Sequence, residues 1–272
     1  MVQVVKLSAL SKKRAVDEES DLDISSTDSN ISDQENGQEE QEIINIDFDF
    51  FNGNPDVDFH ALKNLMRQLF GPQESNRIQL SELANLILDS PTTTIKTDGK
   101  ESDPYCFLSF IDYKANKDSD YAKYLRKVDP KLATFLQTID QSEKTCSLVL
   151  SERLINMPPE VVPPLYTITL EDVKLALGDD KNYDFYLIVS RKYEVNFDMD
   201  EDDLTSNQAV RKKVRQTNEV DYFHEEDRFL EKLAKVHVDS EARKGLITSY
   251  MVLDHAGLIK SIEDLDAAIK TW

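Results

Sequence analysis

Tyr183-Asp184-Phe185-Tyr186-Leu187-Ile188-Val189-Ser190-Arg191-Lys192-Tyr193-Glu194-Val195 is the longest strand candidate in the chain. Aromatic and branched residues dominate it and neither glycine nor proline interrupts it, the composition of a strand. Tyr105 to Tyr113 (YCFLSFIDY) reads as a central strand, Cys146 to Leu150 as a shorter one, and Ile247 to Leu253 as another. At the entry, Ile44, Ile46, Phe48 and Phe50 alternate with Asn45, Asp47 and Asp49, a period-two strand with one wet face. Helical spacing separates these runs. Phe59, Leu62, Leu65, Met66, Leu69 and Phe70 predict a helix that Gly71-Pro72 stops, and Leu80, Leu83, Ala84 and Ile87 predict a second one ending before Ser90-Pro91. Lys123 to Leu136 is helical in pattern but interrupted by Pro130.

Downstream, the prolines of Met157 to Tyr166 predict a rigid turn or surface ridge, because they fit neither a central strand nor one regular helix. Thr169 with Asp172 three residues later predicts a capping-box-like helix start, with the end near Gly178. Phe229, Leu230, Leu233 and Val236 predict a short helix, and Ser261 to Trp272 a closing helix with Ile262, Leu265 and Ile269 inward. Strands and helices are interspersed, so the class is α/β or α+β, with helices packed on one mixed β-sheet.

Charge constrains the partners. The 272 residues carry 52 acidic and 32 basic side chains, a net of −20. That surface is a poor ligand for nucleic acid or an anionic membrane and suits a basic partner. The excess is localised. Residues 1–42 hold four basic and eleven acidic side chains, and residues 198–227 hold four and ten. With almost no apolar periodicity, residues 1–42 are expected to be a disordered acidic tail, leaving 43–272 as one domain. Lys12-Lys13-Arg14 is a candidate nuclear-import signal, or a chance basic triplet. Five acids in Asp198 to Asp203, followed by Arg211-Lys212-Lys213-Val214-Arg215, predict a solvated excursion near 197–221.

The usual chemical motifs are missing. The seven glycines never fall closer than 12 residues apart, which excludes the dinucleotide fingerprint, the Walker A loop and the kinase glycine loop. The four histidines are scattered and the two cysteines, Cys106 and Cys146, are 40 residues apart, so neither a zinc site nor a disulfide framework is expected. The cysteines read as buried thiols of a reducing compartment. Asp198-x-Asp200-x-Asp202 copies the start of a calcium loop, but Asp203 replaces the turn glycine and Ala209 the bidentate glutamate. Asp47 and Asp49 share one side of their strand without a nucleophile or metal partner and read as an edge row. No stretch approaches the roughly 18 apolar residues of a spanning helix, and the polar amino terminus does not read as a signal peptide. A soluble, intracellular protein without catalytic residues, cofactor or metal is expected.

Three segments carry a family resemblance: Ile46 to Asn52 (IDFDFFN), Ser151 to Tyr166 (SERLINMPPEVVPPLY) and Tyr222 to Asp227 (YFHEED). They resemble the BCCIP family, and its yeast members in particular, over residues 43–272. The resemblance implies a fold similar to GNAT acetyltransferases without a cofactor loop and without acetyltransferase activity. Acetyltransferases of that fold use a glycine-containing Q/R-x-x-G-x-G/A turn for the cofactor pyrophosphate, and no such turn exists in this chain. It further implies a shuttling protein of nucleus and cytoplasm that chaperones a basic large-subunit ribosomal protein of the universal L-fourteen family. Support of nuclear export, including that of a phosphoinositide kinase, is implied as well, with the nuclear transport machinery as partner. The expected reading is a monomeric, non-enzymatic acidic escort in 60S ribosome biogenesis. An export adaptor and a divergent acyltransferase are its rivals. The candidate contact residues are Asp198, Asp200, Glu201, Asp202, Asp203, Glu225, Glu226 and Asp227, each with solubility as the alternative role.

Overall fold

In the computed structural model, which describes residues 47–178, 181–195 and 219–272, the stretch Phe185–Val195 is the hub of one sheet. Tyr186 through Lys192 are all buried, so both faces of this strand are covered, which explains its continuous apolar run. In chain order the strands are β1 (Asp49–Asn52), β2 (Thr92–Lys96), β3 (Cys106–Asp112), β4 (Cys146–Arg153), β5 (Phe185–Val195), β6 (Glu219–Tyr222), β7 (Val236–Asp239) and β8 (Leu246–Asp254). Their order is β1-β2-β3-β4-β5-β8-β7, with β6 added to β5. Only β4 and β5 run parallel; every other pair is antiparallel. The sheet is therefore mixed, as expected.

Helices cover both faces. α1 (Phe59–Glu74), α2 (Leu80–Leu88), α3 (Asp120–Val128) and α4 (Pro130–Asp140) pack on the side shown by Phe107, Ile111, Leu148, Leu150, Leu187 and Val252. On the opposite side lie α5 (Val162–Leu177), α6 (Glu226–Leu233) and α7 (His255–Ile269), where Phe110 meets Tyr166 and Tyr186 edge to face. Alternate strand residues thus feed two cores. Among the described residues no helix is long and apolar enough to cross a membrane.

Several boundaries differ from the sequence reading. Pro130 does not interrupt a helix but begins α4 at its first turn, where a missing N–H costs nothing; Asp129 caps it by accepting from Lys131 N at 2.7 Å. The same logic corrects the proline block. Pro159–Val161 forms a single 3-10 turn and α5 starts at Val162, with Pro163 in its first turn. Thr169, expected to start that helix, lies inside it and spends its hydroxyl on Leu165 O and Thr93. Three strands carry no strand signature in the sequence. β2 (TTTIK) is buried throughout with its hydroxyls bonded internally, and β7 (VHVD) is too short to show a period. Glu219–Tyr222, placed by the sequence at the end of the excursion, pairs with β5 instead.

Gly71 sits at φ 67° and kinks α1, after which Pro72 to Glu74 complete one more turn. A Cβ there would run into Leu246 Cδ2. Gly178, which ends α5 at φ 78°, faces open space. Gly71→Ala is therefore expected to cost about 2–3 kcal/mol and Gly178→Ala only about 1 kcal/mol. Urea unfolding of the two variants checks this, and equal costs would mean that Leu246 yields freely.

Candidate functional site

Open α/β sheets hold ligands in the crevice beyond the carboxyl ends of neighbouring parallel strands. Here that place is where β4 and β5 part. They pair from Cys146↔Phe185 to Leu150↔Val189 and then diverge: β4 stays with β3 as far as Cys106↔Arg153, while β5 takes β6 from Lys192↔Tyr222 to Val195↔Glu219. Phe223 to Asp227 leave β6, enter the wedge between the strands and lead into α6.

Charged side chains fill this wedge in two tiers, because neighbouring residues of a strand point to opposite faces. Arg153 forms a bidentate pair with Glu226 at 3.1 and 3.0 Å and donates a third bond to Met157 O at 2.6 Å. Beside it the Ser190 hydroxyl donates to the Asp227 carboxyl. In the other tier Arg191 donates to Glu152 Oε1 at 2.7 Å, and His224 Nε2 stands 3.0 Å from the same oxygen. The Arg191 guanidinium stacks 4.1 Å over the Phe223 ring. Glu152, Arg153, Ser190, Arg191, His224, Glu226 and Asp227 are all buried. What remains of the wedge is a cavity of about 20 Å³. That volume suits one water and not a cofactor arm.

Electrostatics follows from burial. Three carboxylates face two arginines and His224, so the cluster is neutral when Asp227 and His224 share one proton. Burial, then the neighbouring Glu226 charge, pushes the Asp227 carboxyl up to about 7. Burial alone would lower His224, but its bond to Glu152 and the surrounding carboxylates raise it. For Glu226, burial is outweighed by Arg153, which holds it below the usual carboxylate range.

The BCCIP family model matches residues 43–230. The chain belongs to the BCCIP family. It is 65% identical to Protein BCP1 of Candida glabrata over 280 residues, covering 100% of both chains. It is 72% identical to Protein BCP1 of Saccharomyces cerevisiae over 237 residues, covering 85% of this chain and 84% of that one. The crystal structure of BCP1 from Saccharomyces cerevisiae superposes with a TM-score of 0.73 at 68% identity, covering 87% of this chain and 96% of that chain.

The family signatures quoted above supply the β4 wall of the wedge and the turn that fills it: Arg153 and Met157 come from the proline-rich block, His224 and Glu226 from the YFHEED stretch. This corrects the reading of Glu225, Glu226 and Asp227 as one solvent-facing acidic patch. Glu225 is exposed and bonds Arg228, whereas Glu226 and Asp227 are buried and paired. Asp198, Asp200, Glu201, Asp202 and Asp203 lie outside the described residues, as do Lys12, Lys13 and Arg14. Both cysteines are free and buried, with thiols pushed up by burial. Among the described residues no three His, Cys, Asp or Glu are set to hold a metal ion. The sequence reading missed Glu152, Arg153, Ser190 and Arg191. Their signal was polar residues inside otherwise apolar strand runs, at SER and SRK.

Asp227 and His224 both bind their protons more tightly in the folded protein, so the stability they contribute is present at low pH and lost as pH rises. For Asp227 that loss spans its ordinary 3.8 to about 7; for His224 it lies above 6.5. Glu226, held low, acts only at more acid pH. Unfolding free energy is expected to fall on the order of a few kcal/mol between pH 5 and pH 8, and the slope to flatten in Asp227→Asn. Identical slopes in both proteins would contradict the assignment. Arg153→Met, which strands Glu226, is expected to cost about 3–5 kcal/mol, and Arg153→Met/Glu226→Leu much less than the single change, as read by denaturant unfolding.

Proposed function

We propose that this BCCIP-family chain is a non-enzymatic escort that binds a basic large-subunit ribosomal protein of the universal L-fourteen family, shuttling between nucleus and cytoplasm in support of its export and of 60S assembly. The observation that carries this reading is the filled wedge. Sheets of this kind hold ligands in the crevice where neighbouring parallel strands diverge, and here Arg153, Glu226 and their neighbours take that room. With the wedge filled among the described residues, the proposed contact is a surface one, and the net charge of −20 sets the sign of the partner.

Two of the ten acids of residues 198–227, Glu226 and Asp227, are buried inside the wedge, which leaves the others and the acids of residues 1–42 for the partner. Opposite charge accelerates encounter and shields a cationic RNA-binding surface from other anions, while apolar contacts supply specificity. The test is a titration of the L-fourteen ribosomal protein at about 50 and about 300 mM salt, with acetyl-CoA titrated in parallel. Binding of the ribosomal protein that weakens at least about tenfold with salt, and no heat from acetyl-CoA, are expected. Absence of complex at low salt, or stoichiometric acetyl-CoA binding, contradicts the proposal.

A further inference from the structure

On the face opposite α1 to α4, the helices α5 and α7 leave a groove with a cavity of about 280 Å³ between them. Tyr166 and Leu170 of α5 and Ile259 and Ile262 of α7 line it, and both isoleucines are only half-buried. Glu171 and Glu263, one from each helix, are exposed at its edge, and Lys174 is the one cation that lines it among the described residues.

We propose that this groove is the seat of an amphipathic helix of a basic partner protein, its apolar face on Leu170, Ile259 and Ile262 and its lysines or arginines beside Glu171 and Glu263. Two helices side by side present a ridge-and-groove surface that a third helix fits, and helix-in-groove recognition uses apolar anchors at helical spacing with charges flanking them. Charge selects the basic version. Acids stand on both edges of the groove, Glu171 on α5 and Glu263 on α7. A helix with acids flanking its apolar face would be repelled by them; one with lysines or arginines pairs with them.

The assignment rests on the escort reading and names the contact surface for it. The test titrates the L-fourteen ribosomal protein into the full chain and three variants. Glu171→Lys/Glu263→Lys reverses the charged edges, and Thr167→Trp fills the groove from an exposed α5 position. Glu143→Lys is the control, an exposed acid at the end of α4 on the other face. The two groove variants are expected to weaken binding about tenfold or more, the control less than about twofold, with melting temperatures unchanged. Groove variants that bind like wild type overturn the groove while leaving the escort reading intact; a wild-type chain that binds no ribosomal protein overturns both. A photo-crosslinking residue at position 167 then reports the occupant. Its adduct is expected on an apolar residue of a lysine- or arginine-bearing helical segment, and an adduct on a strand or an acidic segment overturns the helix assignment.

Discussion

Arg153 meets Glu226 in a bidentate pair whose side chains are 6% and 9% exposed, and its remaining donor holds the Met157 carbonyl. Removing each of these charges from water costs several kcal/mol, so the pair is tolerable only because both oxygens of Glu226 and three donors of Arg153 are used. One guanidinium thereby ties the end of β4 to the start of α6 and to the proline block that leads into α5. Those three segments lie 73 residues apart at the extremes. The geometry of the second face, and the closure of the sheet where β4 leaves β5, depend on it.

A buried ion pair adds little net stability over an apolar pair of the same volume. Its effect here is positional. Apolar side chains in the wedge would let the Phe223 to Asp227 turn settle in several ways, whereas two guanidinium groups, each matched to its own carboxylate on opposite faces, fix one register for β6 and one entry angle for α6. The arrangement also converts the place where such sheets hold ligands into structural interior.

Much of this fold is legible in the sequence because burial imposes a pattern. YDFYLIVSRKYEV is a strand covered on both faces, and the helical stripe from Leu62 to Phe70 packs inward as its spacing requires. What the sequence does not disclose is pairing at a distance. Glu225, Glu226 and Asp227 look alike as letters, yet only the first faces water, since Arg153 and Ser190 reach the other two from strands remote in sequence. Proline is similarly ambiguous: Pro130 and Pro163 break a helix or begin one depending on where the first turn falls, and neighbours in space decide that. The threonines of β2 hide a buried strand because their hydroxyls are satisfied by Ile87 O, Ser109 and Thr169, which no local pattern reveals.

The account stands on a wedge that stays shut. Native-state hydrogen exchange of the Phe223 and Asp227 amides measures this directly, since Asp227 N–H is bonded to His224 O and Phe223 N–H to Arg191 O inside the wedge. A permanently closed wedge predicts that these two amides exchange only with the slow, global opening that releases β5. Fast exchange at 223 and 227 while β5 remains protected would show the wedge opening on its own, and would contradict the claim that the charge cluster has replaced a ligand site.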